Sequence, residues 1–156
     1  MGIKGLTQLI KLYAPSAIES TNLHTLTGKK VAIDTSLFMY KMLINMRGKD
    51  NQYLKNNNGK IISHINGIFY KTINYLSVNI TPIYIFDGKP PEDKNNVLNA
   101  RNQKVIESKA AMNLTDDIEL KNKYEKKTIR LTEEYINDIK HLLQLMGISY
   151  VQANGE

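Results

Sequence analysis

Large apolar residues recur along this chain with two different periods, and the alternation between them predicts its elements. Near the start, Leu6, Leu9 and Ile10 form a short helical stripe that Pro15 ends, because proline lacks the amide proton that a continuing helix needs. A polar stretch leads to Lys30-Val31-Ala32-Ile33-Asp34, a short apolar run closing on an acid, which reads as a buried strand. Thr35 and Ser36 then offer capping hydroxyls to a helix whose apolar positions Leu37, Tyr40, Leu43 and Ile44 keep helical spacing. Asn56-Asn57-Asn58-Gly59 marks a loop. Beyond it Ile61, Ile65, Ile68, Phe69, Ile73 and Leu76 follow a helical period and are expected to pack on one face of a sheet.

A second β-rich run, Pro82-Ile83-Tyr84-Ile85-Phe86-Asp87, begins with a proline where a strand tolerates it and again ends on an acid, followed by Gly88 and Pro90-Pro91. From Glu92 to about Arg130 the chain is charged and short of large apolar residues, the pattern of solvated helices or a partly ordered excursion. Leu131, Tyr135, Ile139, Leu142, Leu143 and Met146 restore an amphipathic helix with Gly147 placed as its C-cap, and a third strand over Ile148 to Val151 approaches Glu156. Strands separated by helices connect by crossovers, so the fold class is α/β with a largely parallel central sheet flanked by helices. The chain divides into 1–91, a helical excursion over 92–130, and 131–156. A third strand at the sheet's edge is expected to leave that edge uncovered and prone to association.

Composition narrows the chemistry. At 156 residues with 42% hydrophobic content, the chain is long enough for one domain with its own core. Its 21 Lys and Arg against 15 Asp and Glu leave a net charge of +6, which favours a polyanionic partner such as nucleic acid. The absence of cysteine excludes disulfides, thiolate zinc sites and a cysteine nucleophile. His24, His64 and His141 are scattered without metal-ligand spacing and are read as ordinary surface or helix histidines. No apolar run reaches the roughly 20 residues needed to span a bilayer, no signal-peptide pattern opens the chain, and Leu6 stands where a myristoylation motif at Gly2 requires Ser or Thr. An intracellular location is expected, nuclear in a eukaryote and otherwise in the cytoplasm or a host cell.

Sites in open α/β sheets gather at the carboxyl ends of strands, and each of the three strands delivers an acid there or just beyond: Asp34, Asp87 and Glu156. Three converging carboxylates repel unless a cation neutralises them, and hard oxygen ligands without His or Cys select Mg²⁺ or Mn²⁺. Such a metal activates water and stabilises charge on a phosphate during hydrolysis. Any one of these acids could equally be an N-cap or turn residue, and the constellation fits phosphatases, PIN-type ribonucleases and receiver domains alike.

Five ordered strings add to this pattern: Met1 to Leu6 (MGIKGL), Ala14 to Ile18 (APSAI), Val31 to Ser36 (VAIDTS), Phe86 to Pro91 (FDGKPP) and His141 to Ile148 (HLLQLMGI). Together they resemble the flap endonucleases of the XPG superfamily over the whole of 1–156. The resemblance implies a PIN-like 5′ nuclease core with a helical gateway and cap. The implied activity is cleavage of 5′ single-stranded flaps and nicked DNA by two Mg²⁺ ions, with 5′ to 3′ exonuclease activity, in replication and repair. By it Asp34 and Asp87 match the first two metal-site acids, and Glu156 the first Glu of a paired Glu-Ala-Glu motif. The preceding Ala153-Asn154-Gly155 departs from the family's Ala-Pro-Gly or Ala-Pro-Ser. Lys94 and Arg101 match the basic pair at the gateway's base, and their seven-residue spacing puts them on one helix face about 10.5 Å apart.

The resemblance further implies that Lys126, Lys127 and Arg130 line a path for single-stranded DNA. Tyr40 would stack on a base near the cut, and Arg47 would contact the duplex. Gly2 and Lys4 would lie near the site and DNA, and a sliding clamp would be a partner through segments outside these residues. Because further acids of the family's site fall past residue 156, a catalytically inactive DNA-binding fragment is the alternative for this chain alone, and a PIN-like ribonuclease is another.

Overall fold

The computed structural model describes residues 3, 5–48, 52–89 and 95–155, excluding the side chains of 95–98. Helix α1 (Leu6–Tyr13) and short 3₁₀ turns at Pro15–Ala17 and Leu23–Leu26 precede β1 (Lys30–Asp34) and α2 (Thr35–Asn45). Then come α3 (Ser63–Ser77), β2 (Thr81–Phe86), α4 (Asn95–Asn113), α5 (Ile118–Thr128), α6 (Glu133–Leu145) and β3 (Tyr150–Gln152). The three strands form one parallel sheet in the order β1-β2-β3, with Asp34 beside Ile85 and Ile85 beside Val151. The α/β class with a parallel sheet, expected from the alternation of periods, is therefore what the chain adopts.

Strand order that advances with chain order, joined by right-handed crossovers, lays successive helices on one face of the sheet. The core lies there. Ile33, Tyr84 and Phe86 from the strands pack with Met39 of α2, Ile68 of α3, and Ile139 and Leu143 of α6. Tyr84 buries its hydroxyl without penalty because Thr72 Oγ1 meets it at 2.7 Å. On the opposite face Ile83 and Ile85 are half-buried, and Ala32 and Val151 are exposed.

Several boundaries differ from the sequence expectation for identifiable reasons. β1 runs into α2 with no intervening loop, so the N-cap is Asp34 itself: its Oδ1 accepts from Leu37 N–H at 2.8 Å, while Thr35 turns inward and is fully buried. Helix α3 is rotated from its expected facing. Ile68 is buried, but Phe69, Ile73 and Leu76 remain 38%, 44% and 42% exposed, and Ile61 lies before the helix, bridged to Lys55. The rotation follows from Gly67, whose missing Cβ lets α3 press on Met42; a Cβ there would lie 2.4 Å from the Met42 sulfur. The third strand starts at Tyr150 rather than Ile148, because the Ile148 amide still bonds to Leu143 O and closes α6. Gly147, at φ +67, ends that helix in the left-handed conformation expected of a C-cap glycine. Asn56 organises the Asn-rich turn by accepting from Asn58 and Lys60 amides through Oδ1.

Candidate metal and nucleic-acid site

Asp34 closes β1, and Asp87 stands one residue past β2. Since Asp34 pairs with Ile85, and Asp87 is two residues beyond Ile85, strand alternation carries both carboxylates to the same side of the sheet. Strand spacing and rise put their Cα atoms about 8 Å apart, near enough for both side chains to reach one cation or an adjacent pair. Both residues are exposed at the carboxyl edge of the sheet. Asp34 caps α2 through Oδ1, so the capping bond occupies one of its two carboxylate oxygens. Capping and metal ligation, alternatives in the sequence, are thus compatible in one residue.

The loop bearing Asp87 is fastened to the loop that follows β3. Ala153 N–H donates to Phe86 O at 2.9 Å, Lys89 bridges to Gly155, and the Gln152 side-chain amide donates to the carbonyl of Asp87. Gln152 is itself held by Lys140, whose Nζ is 2.9 Å from Oε1 and 5.1 Å from the Phe86 ring. Gly88 makes this fit possible, since a Cβ there would stand 2.3 Å from Ala153 O and 2.6 Å from Gly155 N. Residues 153–155 therefore run alongside 86–89. Glu156 itself lies outside the described residues, as do Lys94, Gly2 and Lys4.

The polar excursion forms an antiparallel helical arch, α4 against α5, tied at its base by Arg130 Nη2 donating to Asn102 Oδ1 at 2.6 Å. Its sequence explains its shape: with few large apolar residues it packs chiefly on itself and stays solvated. Asp117 caps α5 through the amides of Glu119 and Leu120. Between arch and α2 opens a cleft of about 470 Å³ lined by Tyr40, Arg101, Lys104, Lys127 and Arg130. Four residues singled out in the sequence thus share one cleft, and Lys104 joins them. Lys104 was legible as the next position on the face of Arg101, three residues along the helix. Lys126, on α5 beside Lys127, is exposed but does not line the cleft.

Arg47 is placed otherwise. Its side chain is only 5% exposed, with Nη1 3.0 Å from Glu125 Oε2 and the guanidinium 3.8 Å from the centre of the Tyr53 ring. Nothing in the sequence signalled Glu125, Gln152 or Lys140, because each acts across a long loop. A second polar cluster lies away from the acids. His64, fully buried on α3 rather than at the surface, has Nε2 3.4 Å from Asp138 Oδ2, while Lys60 Nζ lies 2.9 Å from both Asp138 and Glu134. Burial lowers the His64 pKa against the opposing pull of Asp138. Hydrogen bonds to Asp138 and Glu134 raise that of Lys60.

Comparison with known proteins supplies the context. Flap endonuclease 1 of Lodderomyces elongisporus is 45% identical over 98% of this chain, which covers 41% of that protein. The solved flap endonuclease-1 from Methanococcus jannaschii superposes with a TM-score of 0.62 at 38% identity, over 88% of this chain and 45% of that one. The catalytic core of Rad2 in complex with DNA substrate shares the fold, with a TM-score of 0.60 at 23% identity over 99% of this chain and 38% of that one. The chain spans about two fifths of the length of the curated relatives it matches. The XPG N-terminal domain matches residues 1–108, and the chain belongs to that family.

Proposed function

We propose that this chain carries the N-terminal part of a Mg²⁺-dependent 5′ flap endonuclease, with 5′ to 3′ exonuclease activity, acting on DNA in replication and repair. The observation that carries the reading is the pairing of Asp34 and Asp87 on one side of adjacent strand ends, in a chain whose cleft beside α2 gathers Tyr40, Arg101, Lys104, Lys127 and Arg130. The donor set fits a hard divalent cation: two exposed carboxylates, one with an oxygen beyond its capping bond, and no sulfur ligand. Asp34, Asp87 and Glu156 would hold Mg²⁺ or Mn²⁺, two ions in the complete family site. Bound metal supplies charge neutralisation and an activated water.

The chain's own residues do the rest. Lys94 and Arg101 would neutralise the phosphate to be cut, and Tyr40 would stack on a neighbouring base. Lys126, Lys127 and Arg130 would draw a single strand through the arch, and Gly2 and Lys4 would lie near the site and DNA. The burial of Arg47 against Glu125 favours a structural part for it over the implied duplex contact. The partner is DNA bearing a 5′ flap or nick, and a sliding clamp is the proposed protein partner. Among the described residues no helix is long and apolar enough to cross a membrane, which suits an intracellular, DNA-bound location.

Incubating the protein with a labelled 5′ flap duplex and Mg²⁺ tests the reading: cleavage abolished by Asp87→Ala supports it, and metal-independent or absent cleavage counts against it. A second reading, DNA binding without cleavage by this chain alone, is favoured by one observation: among the described residues no group of three His, Cys, Asp or Glu side chains is placed to hold a metal ion. Isothermal titration separates the two, since uptake of two Mg²⁺ ions contradicts the binding-only reading. A PIN-like ribonuclease would instead cut single-stranded RNA in preference to flapped DNA.

A further inference from the structure

The arch packs chiefly on itself, yet one wall of the basic cleft belongs to it and the other to α2. A side-chain contact joins the two. Arg47, just past the end of α2, lies across three elements at once. Its Nε donates to Leu43 O at 3.1 Å, its plane covers Tyr53 of the 52–62 segment at 3.8 Å, and its Nη1 meets Glu125 of α5 at 3.0 Å. The guanidinium is 5% exposed, while the Glu125 side chain is 36% exposed. A planar, stacked arginine loses little freedom when it pairs, and a buried charge deprived of its partner is strongly unfavourable. Glu125 precedes by two and five positions the cleft residues Lys127 and Arg130, and Tyr40 precedes Arg47 by seven on the α2 side. The same two segments thus form both the cleft and its tie.

We propose that Arg47 and Glu125 form a latch that holds α5 against α2 and Tyr53, setting the width of the basic cleft for a single strand. Arg47 is then a positioning residue. This rests on the reading of the cleft as a single-strand path. The latch has an unusual signature: Arg47→Gln removes a positive charge and Glu125→Gln a negative one, yet both should weaken single-strand binding, because both release α5. Direct electrostatics predicts opposite signs for the two, since added positive charge strengthens binding to a polyanion.

The test measures fluorescence anisotropy of a labelled oligothymidine and of a blunt duplex with the protein, its Arg47→Gln and Glu125→Gln variants, and Glu119→Gln as a charge control on the same helix. Hydrogen exchange of 118–128 and 81–86 is followed in parallel. The expected result is oligothymidine binding about fivefold weaker in both latch variants and unchanged or stronger in the control. Exchange should be faster in 118–128 and unaltered in 81–86. Glu125→Gln changes a partly exposed side chain and keeps the test open if Arg47→Gln does not fold. Stronger binding by Glu125→Gln, matching Glu119→Gln, overturns the proposal, as does unchanged exchange in α5. If the unaltered protein shows no affinity for oligothymidine, the single-strand reading of the cleft fails, while faster exchange in both variants still upholds the latch.

Discussion

Replacing Gly88 by Ala should damage the acidic site without removing any acid. The added Cβ would stand 2.3 Å from Ala153 O, 2.7 Å from Asn154 C and 2.6 Å from Gly155 N, all main-chain atoms that no rotamer change can move aside. Contacts to a Cβ below about 3.0 Å are not tolerated, so the two loops must part by at least about 0.7 Å. That shift falls on the bond from Ala153 N–H to Phe86 O and on the bridge from Lys89 to Gly155. Overpacking and a weakened hydrogen bond together cost about 2 kcal/mol, or about 4–8 °C in Tm for a chain of this size. A displacement approaching 1 Å between reacting groups can lower a reaction rate by about 10²-fold, and the proposed metal site would be exposed to it through Asp87. Thermal melts and Mn²⁺ titration would check both consequences, with Gly67→Ala as control: its Cβ meets the side chain of Met42, far from the acids, so it should destabilise without weakening metal binding. A Gly88→Ala protein that melts and binds Mn²⁺ like its parent would refute the argument that backbone contact at Gly88 aligns the two loops.

Asp34 combines capping and charge, and two substitutions should separate them. Asp34→Asn keeps an acceptor for the Leu37 amide and should hold the Tm while losing metal affinity, whereas Asp34→Ala should lose both, with about 1 kcal/mol of stability; equal Tm losses would sink the capping role. His64 is held neutral by burial among Asp138, Lys60, Glu134 and Tyr135, so its folded-state pKa lies below the ordinary value of 6.5. The unfolded chain then binds the extra proton, and this share of stability, complete above 6.5, is lost as pH falls through 6.5 toward the folded value. His64→Asn should flatten the fall of Tm between about pH 8 and about pH 5, and an unchanged slope would contradict it. Tyr84→Phe should cost about 1 kcal/mol in denaturant melts, because Thr72 Oγ1 keeps only its bond to Ile68 O; an unchanged midpoint would remove that hydrogen bond from the account.

How much of this was legible depends on the range of each interaction. The strands ending on Asp34 and Asp87 were visible because an apolar run closing on an acid is a local pattern, and parallel pairing then delivers both acids to one edge. The facing of α3 was not visible, since periodicity locates an apolar stripe but cannot weigh it against a glycine. Gly67 permits a closer approach to α2 than Phe69 or Ile73 could, and close packing prevails over the wider stripe. The resemblance singled out Arg101, but its cleft exists only because α5 returns Lys127 and Arg130 beside it. The resemblance marked Arg47 as a duplex-contacting position without showing its partner, for Glu125 is 78 residues away in sequence. A charge whose partner is local can be assigned from the chain, whereas a charge with a distant partner looks identical to a free one until the fold closes. For a basic protein that distinction matters more than the count of lysines and arginines, because it determines which of them remain to meet a phosphate.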